Sequence, residues 1–176
     1  MSVEIVILDP VNATAALDEL AEVLVDCVEG GASVSFMLPF SHADAAAFFG
    51  KVIASVVRGE TVLVAARLDG RIVGTVQLGL DMPPNQPHRG DIKKLLVHRA
   101  ARKHGIGAAL MARAEEEAKR RGRTLLVLDT ATEGGAAGLY ERLGFSLTGE
   151  IPNYALKPHG GLTGTLIYWK RIGQHA

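Results

Sequence analysis

The feature that most narrows what this chain can fold into is the stretch VHRAARKHGIGAALMARAEEEAKRRG, Val97 to Gly122. From Gly105 it reads as a strong helix, yet it opens on two glycines, Gly105 and Gly107, beside Arg99, Arg102, Lys103 and His104. Glycine is the poorest ordinary residue in a helix interior. At a helix start it has another use, because it lets a ligand come close to the backbone. The first turn of a helix also leaves backbone N–H groups unpaired and carries partial positive charge, which suits phosphate. Glu115, Glu116 and Glu117 lie farther along, so the basic residues gather at the helix start.

The flanking segments set the topology. Residues 2–8 read as a first strand ended by Asp9-Pro10. Asn12 or Thr14 then caps a helix with Leu17, Leu20, Val23, Leu24 and Cys27 at helical spacing. Gly30-Gly31 stops it, and GGASVSFMLPF follows as an apolar-rich loop. Ser41 starts a second helix over 43–57. The β-rich runs 61–68 and 71–80 are joined by Asp69-Gly70, a strong hairpin signal. After the loop DMPPNQPHRG comes a strand over 91–98, then the long helix over 105–121, stopped by Gly122. TLLVLDT reads as a strand buried on both faces. Gly134-Gly135 opens a short helix, AAGLYERL, and Gly144 closes it. A short strand at 145–149, a loop at 152–161 and a last strand at 163–171 complete the chain. This order predicts an α/β fold, a mixed sheet with helices on both faces. With 176 residues and no linker, residues 1–176 are expected to form one domain.

Nineteen basic residues balance nineteen acidic ones, which argues against a general nucleic-acid binder. No apolar run approaches membrane-spanning length. The N-terminus, MSVEIVILDP, lacks the basic start and long apolar stretch of a signal peptide, so the cytoplasm is the default expectation. The only cysteine, Cys27, sits in the apolar run LAEVLVDCV and reads as a core thiol; no metal site is expected.

Two familiar phosphate motifs fail in RKHGIGAAL. A dinucleotide fingerprint needs glycine or alanine where Leu110 stands, and the nucleoside-triphosphate loop is absent. Two readings stay open: a glycine turn packed close to the sheet with basic residues at its surface, or a pyrophosphate cradle of the form Arg-x-x-Gly-x-Gly at Arg102, Gly105 and Gly107. Context favours the cradle. A strand ending in LLV lies upstream, an amphipathic helix follows, and LYERLGF comes after the next strand. With GGASVSFM, DIKKLLV, LLVLDT, GLYERLGF, GEIPNYALKPHG and TLIYWK, the chain resembles the GNAT superfamily of N-acetyltransferases over nearly its full length. It looks closest to the tabtoxin-resistance acetyltransferases.

That resemblance implies a mixed, mostly antiparallel twisted sheet of about seven strands, with a V-shaped split between strands 4 and 5. It implies acetyl-coenzyme A as co-substrate. Pantetheine would pair with the backbone of Leu95, Leu96 and Val97. The amides of Arg102, Lys103, His104, Gly105, Ile106, Gly107 and Ala108 would hold the pyrophosphate. Where many members carry an asparagine seven residues before the tyrosine, this chain has Glu133.

Acetyl transfer to an amine needs a polarised carbonyl, a deprotonated amine, a stabilised thiolate and proximity. The resemblance makes Tyr140 the candidate to protonate the thiolate and to touch the cofactor; the alternative is a packed aromatic, a role that suits Phe145. Asp129 and Asp91, at strand ends, are candidate bases or binders of a cationic amine, and alternatively cap turns. A backbone N–H near Leu96 or Val97 would polarise the carbonyl. Phe36, Met37 and Phe40 line the acceptor or belong to the core, and Asn153 and Tyr154 lie in a loop that could close over it. The expected function is acetyl-CoA-dependent N-acetylation of a small amine, amino-acid-like or antibiotic-like, by direct transfer in a ternary complex. A non-catalytic acyl-CoA sensor and a protein lysine or N-terminal acetyltransferase are the alternatives. A homodimer is compatible with the sequence.

Overall fold

The structure is a computed structural model that describes residues 3–134 and 136–174. Ser2 and Gly135, expected to begin the first strand and to help open the short helix, lie outside the described residues. The elements are β1 (Val3–Leu8), α1 (Pro10–Ala15), α2 (Leu17–Glu29), α3 (His42–Val57), β2 (Thr61–Leu68), β3 (Arg71–Gly79), β4 (Arg89–Val97), α4 (Ile106–Arg120), β5 (Leu125–Ala131), α5 (Ala137–Arg142), β6 (Ser146–Leu156) and β7 (Leu162–Arg171). A 3-10 turn, Arg99–Ala101, follows β4.

One sheet of seven strands runs in the order β1-β2-β3-β4-β5-β7-β6. Every neighbouring pair is antiparallel except β4 and β5. Alternation along the strands divides the core between the two faces. On β2, Val62, Val64 and Ala66 join Leu110 and Met111 of α4 and Tyr140 of α5 on one face. Leu63 and Ala65 join Leu20, Leu24 and Cys27 of α2 and Phe49 of α3 on the other. Each fully buried leucine here contributes about 1.5–3 kcal/mol relative to exposure. Cys27 is buried, as its apolar run predicts. Among the described residues no helix is long and apolar enough to cross a membrane.

Local signals explain the boundaries. Ser41 and Asp44 form a reciprocal capping box at the start of α3. Asp69 and Gly70 both take positive φ (50° and 87°), as a tight two-residue hairpin requires. Gly122, at φ 70°, ends α4, and the Arg123 N–H returns to the Ala118 carbonyl at 2.9 Å in a Schellman closure. The Arg123 guanidinium also donates to the carbonyls of Leu80 at 3.2 Å, Arg89 at 3.3 Å and Pro87, which pins the proline-rich loop between β3 and β4.

Three expectations about the elements are corrected. The first helix is two, broken at Ala16, which caps α2 with no side-chain bond. β4 begins at Arg89 rather than at residue 91, because its first residues pair with β5. The segment after Ile151 is not a loop from residue 152: β6 continues to Leu156. Its register with β7 slips between Ile151 and Ala155, and Asn153 takes φ 53°. A bulge on an edge strand tolerates Pro152, which has no N–H to give the ladder.

Candidate active site

β4 and β5 pair only at Arg89–Leu125, Gly90–Leu126 and Asp91–Val127. Beyond that point the strands share no ladder pairs among the described residues, and the sheet opens as a V. β4 is also irregular on its other side. Gln77 faces Lys93 and Thr75 faces Leu96, so two residues of β4 oppose one of β3. Lys94, in this bulge, takes φ 51°, the left-handed region. A bulge bends the strand and breaks strict side-chain alternation.

The turn after β4 leads into a cradle. Lys103 and Gly105 take φ 68° and 73°. Gly105 is the N-cap of α4; no side chain caps it, and no acidic residue stands in the first turn. The first intrahelical bond runs from Ala109 N–H to the Gly105 carbonyl at 3.1 Å, which leaves the amides of Ile106, Gly107 and Ala108 ahead of the ladder. A cavity of ≈ 370 Å³ opens there, lined by Val97, Ala101, Arg102, Lys103, Gly105, Ile106, Gly107, Ala108, Leu139 and Arg142. A Cβ on Gly107 would lie 3.3 Å from Leu139 Cδ2, so a larger residue fills the cradle. Bare amides, positive side chains and a glycine floor fit a pyrophosphate.

Seven of the predicted cofactor residues line this cavity. Others do not. Leu96 is buried in the core, and Leu95 packs on the α4 side, so these two offer backbone at the edge of the split. His104 pairs through Nδ1 with the Ala101 carbonyl at 3.3 Å, within its own turn. The Val97 carbonyl accepts from Arg102 Nε at 3.1 Å and from the Cys27 thiol at 3.5 Å. Burial pushes the Cys27 thiol pKa up. Ala101, on the 3-10 turn, was not predicted by sequence reasoning, nor were Leu139 and Arg142. The latter two flank Tyr140 on α5, and their place beside the cradle depends on how α5 docks. Glu133 is engaged elsewhere, ion-paired to Lys157 at 2.9 Å.

Tyr140 is buried, its ring centroid 6.0 Å from Phe145 and 5.9 Å from Tyr168. Tyr168 in turn donates to Glu141 Oε1 at 3.0 Å, which ties α5 to β7. The Tyr140 hydroxyl has no hydrogen-bond partner among the described residues. Burial, and then the negative charge of Asp129, push its pKa to about 12. Phe145 is buried packing, as expected.

The two carboxylates differ. Asp91 is ion-paired to Arg89, whose Nε donates to Gln86 Oε1 at 2.7 Å. Asp129 is exposed and accepts one hydrogen bond, from Thr165 Oγ1 at 3.0 Å. Its charge acts on Tyr140 and on Lys94. Burial is the main influence on Lys94 and lowers its pKa; Asp129 opposes this, and Lys93 adds to it. Lys94 Nζ donates to Ser35 Oγ at 3.0 Å and sits 5.9 Å above the Phe36 ring.

Phe36 packs on Phe40 at 4.6 Å and on Phe48 at 5.2 Å, so two of the predicted acceptor residues form one aromatic wall. Met37 is exposed on the same loop. That loop is braced from the far end of the chain. The Leu38 N–H donates to the Pro158 carbonyl at 3.3 Å, and His159 Nε2 pairs with the Glu29 carbonyl at 3.0 Å. Asn153 and Tyr154 are exposed on the edge strand β6.

A profile of the acetyltransferase (GNAT) family matches residues 17–145. The chain belongs to that family. An L-methionine sulfoximine/L-methionine sulfone acetyltransferase of Pseudomonas aeruginosa is 33% identical over 104 residues, 57% of this chain and 59% of that protein. An IAA acetyltransferase of Azospirillum brasilense is 30% identical over 96 residues, 54% of this chain and 61% of that protein. The chain thus spans about three fifths of the length of these relatives. The fold matches an N-acetyltransferase from Staphylococcus aureus with a TM-score of 0.81 at 19% identity, over 98% of this chain and 100% of that one. It also matches yncA from Salmonella typhimurium, solved with its cofactor acetyl-CoA, with a TM-score of 0.80 at 20% identity, over 100% of this chain and 97% of that one. The expected seven-stranded mixed sheet, split between β4 and β5, is the observed one.

Proposed function

We propose that this protein transfers an acetyl group from acetyl-coenzyme A to the amine of a small molecule, directly, with both substrates bound. The observation that carries the reading is the ≈ 370 Å³ cradle at the start of α4, which adjoins the open end of the β4–β5 split. Acetyl-coenzyme A supplies an acyl group already activated as a thioester. The amides of Ile106, Gly107 and Ala108 bind its pyrophosphate, with Arg102, Lys103 and Arg142 adding positive charge. The edge of β4 from Leu95 to Val97, beyond its ladder with β5, offers backbone groups to the pantetheine arm and an N–H to the carbonyl oxygen, the Val97 carbonyl being taken by Arg102 and Cys27.

Tyr140 keeps its proton at any working pH, because its pKa lies at about 12. Full transfer from such a phenol to a thiolate of ordinary pKa (~8.5) is uphill by roughly three units. Its role is therefore to donate a hydrogen bond from Oη to the departing sulfur. Asp129 is better placed than Asp91 to receive the proton of the amine, because Asp91 is held by Arg89. The small-molecule acceptor is supported by the aromatic wall of Phe36 and Phe40 and by relatives named for small acceptors.

The test is calorimetric titration with acetyl-coenzyme A, followed by thiol release in the presence of an amine panel. Binding in the micromolar range with turnover supports the reading. Binding without turnover of any amine, small or peptidic, makes the protein a sensor, and absence of binding overturns the cradle.

A further inference from the structure

His98 stands between two residues of the cradle wall. Val97 and Ala101 line the ≈ 370 Å³ cavity, and His98 itself is not part of that lining. Its backbone follows β4, with the N–H donating to the Val73 carbonyl at 2.8 Å. Its side chain then starts the 3-10 turn Arg99–Ala101. Nδ1 accepts from the Ala100 N–H at 3.2 Å, in the manner of a helix N-cap, and the His98 carbonyl accepts from the Ala101 N–H at 2.9 Å. A ring nitrogen that accepts carries no proton, so the proton of the neutral ring is on Nε2. Nε2 lies 3.5 Å from Asp26 Oδ1, on α2. The same carboxylate accepts from the Arg99 N–H at 2.7 Å and from Arg99 Nε at 2.9 Å. The last turns of α2 hold this corner at two further points. The Cys27 thiol donates to the Val97 carbonyl, which Arg102 Nε also reaches. Gly30 packs so close to Arg99 that a Cβ there would stand 2.8 Å from Arg99 Cδ.

Resting on the acetyl-transfer reading, we infer that His98 is a positioning residue for acetyl-coenzyme A: by capping the turn through Nδ1, in the tautomer that faces Asp26, it sets the path of the chain from β4 to α4 and so the aim of the amides offered to the pyrophosphate. The start of α4 has no side-chain cap of its own. Between the turn and the helix, Lys103 and Gly105 take left-handed φ, and His104 Nδ1 pairs with the Ala101 carbonyl at 3.3 Å. The segment is therefore anchored upstream, at the turn. Asp26 holds Arg99 there, and the Ala100 amide is held by His98. N–H groups that already converge bind an anion without first being ordered, which is the gain from pre-organisation. The side chain of His98 acts through this turn, so its effect falls on binding of the donor and not on the chemical step.

The experiment compares His98→Ala, His98→Asn and His98→Gln with the wild-type protein by calorimetric titration with acetyl-coenzyme A, and by kcat and KM where an amine is turned over. Melting curves identify the folded variants. His98→Ala loses the cap, and its Kd for acetyl-coenzyme A is expected to rise about 10-fold, the scale of a lost N-cap. At saturating acetyl-coenzyme A its kcat and its KM for the amine should stay at the wild-type values. Asparagine is a good cap whose side-chain oxygen reaches the N–H two residues on, so His98→Asn should restore the wild-type Kd. Glutamine keeps an amide that can face Asp26 but sets its oxygen one bond farther out, so His98→Gln should bind as weakly as His98→Ala. This pair keeps the test decisive if His98→Ala does not fold. Equal Kd in His98→Asn and His98→Gln overturns the inference, as does wild-type affinity in a folded His98→Ala. So does a loss confined to kcat. Absence of acetyl-coenzyme A binding in the wild-type protein is a different failure, that of the acetyl-transfer reading itself.

Discussion

Asp91 and Val127 are the last residues of β4 and β5 to face each other across the sheet. The cleft begins one residue later, and the two candidate carboxylates fall on either side of that point. Asp91 lies in the paired region and is held by Arg89; Asp129 lies beyond it and meets one hydroxyl.

This difference separates the carboxylates by experiment. Asp129→Asn is expected to lower kcat/KM for the amine about 100-fold or more. Asp91→Asn breaks an ion pair and is expected to act mainly on thermal stability. Steady-state kinetics and melting curves of the two variants check this; a larger kinetic loss in Asp91→Asn reverses the assignment.

Tyr140→Phe removes one hydroxyl and keeps the ring that packs on Phe145 and Tyr168. kcat is expected to fall about 100-fold, with acetyl-coenzyme A affinity nearly unchanged. Since the phenol titrates only near pH 12, the wild-type rate should show no alkaline fall from this group between pH 7 and 10. A pH–rate profile with Tyr140→Phe as reference decides it.

Gly107→Val places side-chain carbon where a Cβ alone would already stand 3.3 Å from Leu139. The dissociation constant for acetyl-coenzyme A should rise at least about 10-fold, roughly 1.4 kcal/mol, in a titration. Gly105→Ala meets no neighbour, but a side chain at φ 73° costs about 1–2 kcal/mol of stability.

Asp26 joins α2 to the turn after β4. It accepts from the Arg99 N–H at 2.7 Å and from Arg99 Nε at 2.9 Å, with His98 Nε2 at 3.5 Å. Burial works to raise its pKa, but the Arg99 hydrogen bonds and the charges of His98 and Arg99 prevail and lower it. A depressed folded pKa means that the stabilisation is complete above the ordinary carboxylate range and is lost as pH falls through the folded value. Melting temperatures measured from pH 6 to 2 should decline less steeply in Asp26→Asn than in the wild-type protein.

Much of this was legible in local pattern. Asp69-Gly70, Gly122 and the alternation of apolar residues specify their elements by short-range physics, and the glycines at 105 and 107 marked the helix start beside the cavity. What escaped depends on distant contacts. Pro152 argued for a loop because a ladder needs N–H groups, yet a bulge on an edge strand removes that need. Arg142 joins the cradle only through the docking of α5, which rests in part on the Tyr168–Glu141 bond. The bulge at Lys94 has no glycine to announce it, and strict side-chain alternation fails there.

The bond between His159 and the Glu29 carbonyl joins residues 130 positions apart, and its far end lies outside the stretch matched by the family profile. On the proposed reading, the groups offered to the nucleotide come from the middle of the chain, whereas the aromatic wall offered to the amine is braced by the β6–β7 turn. On that reading, a change in the turn would reshape the acceptor wall and leave the phosphate clasp untouched.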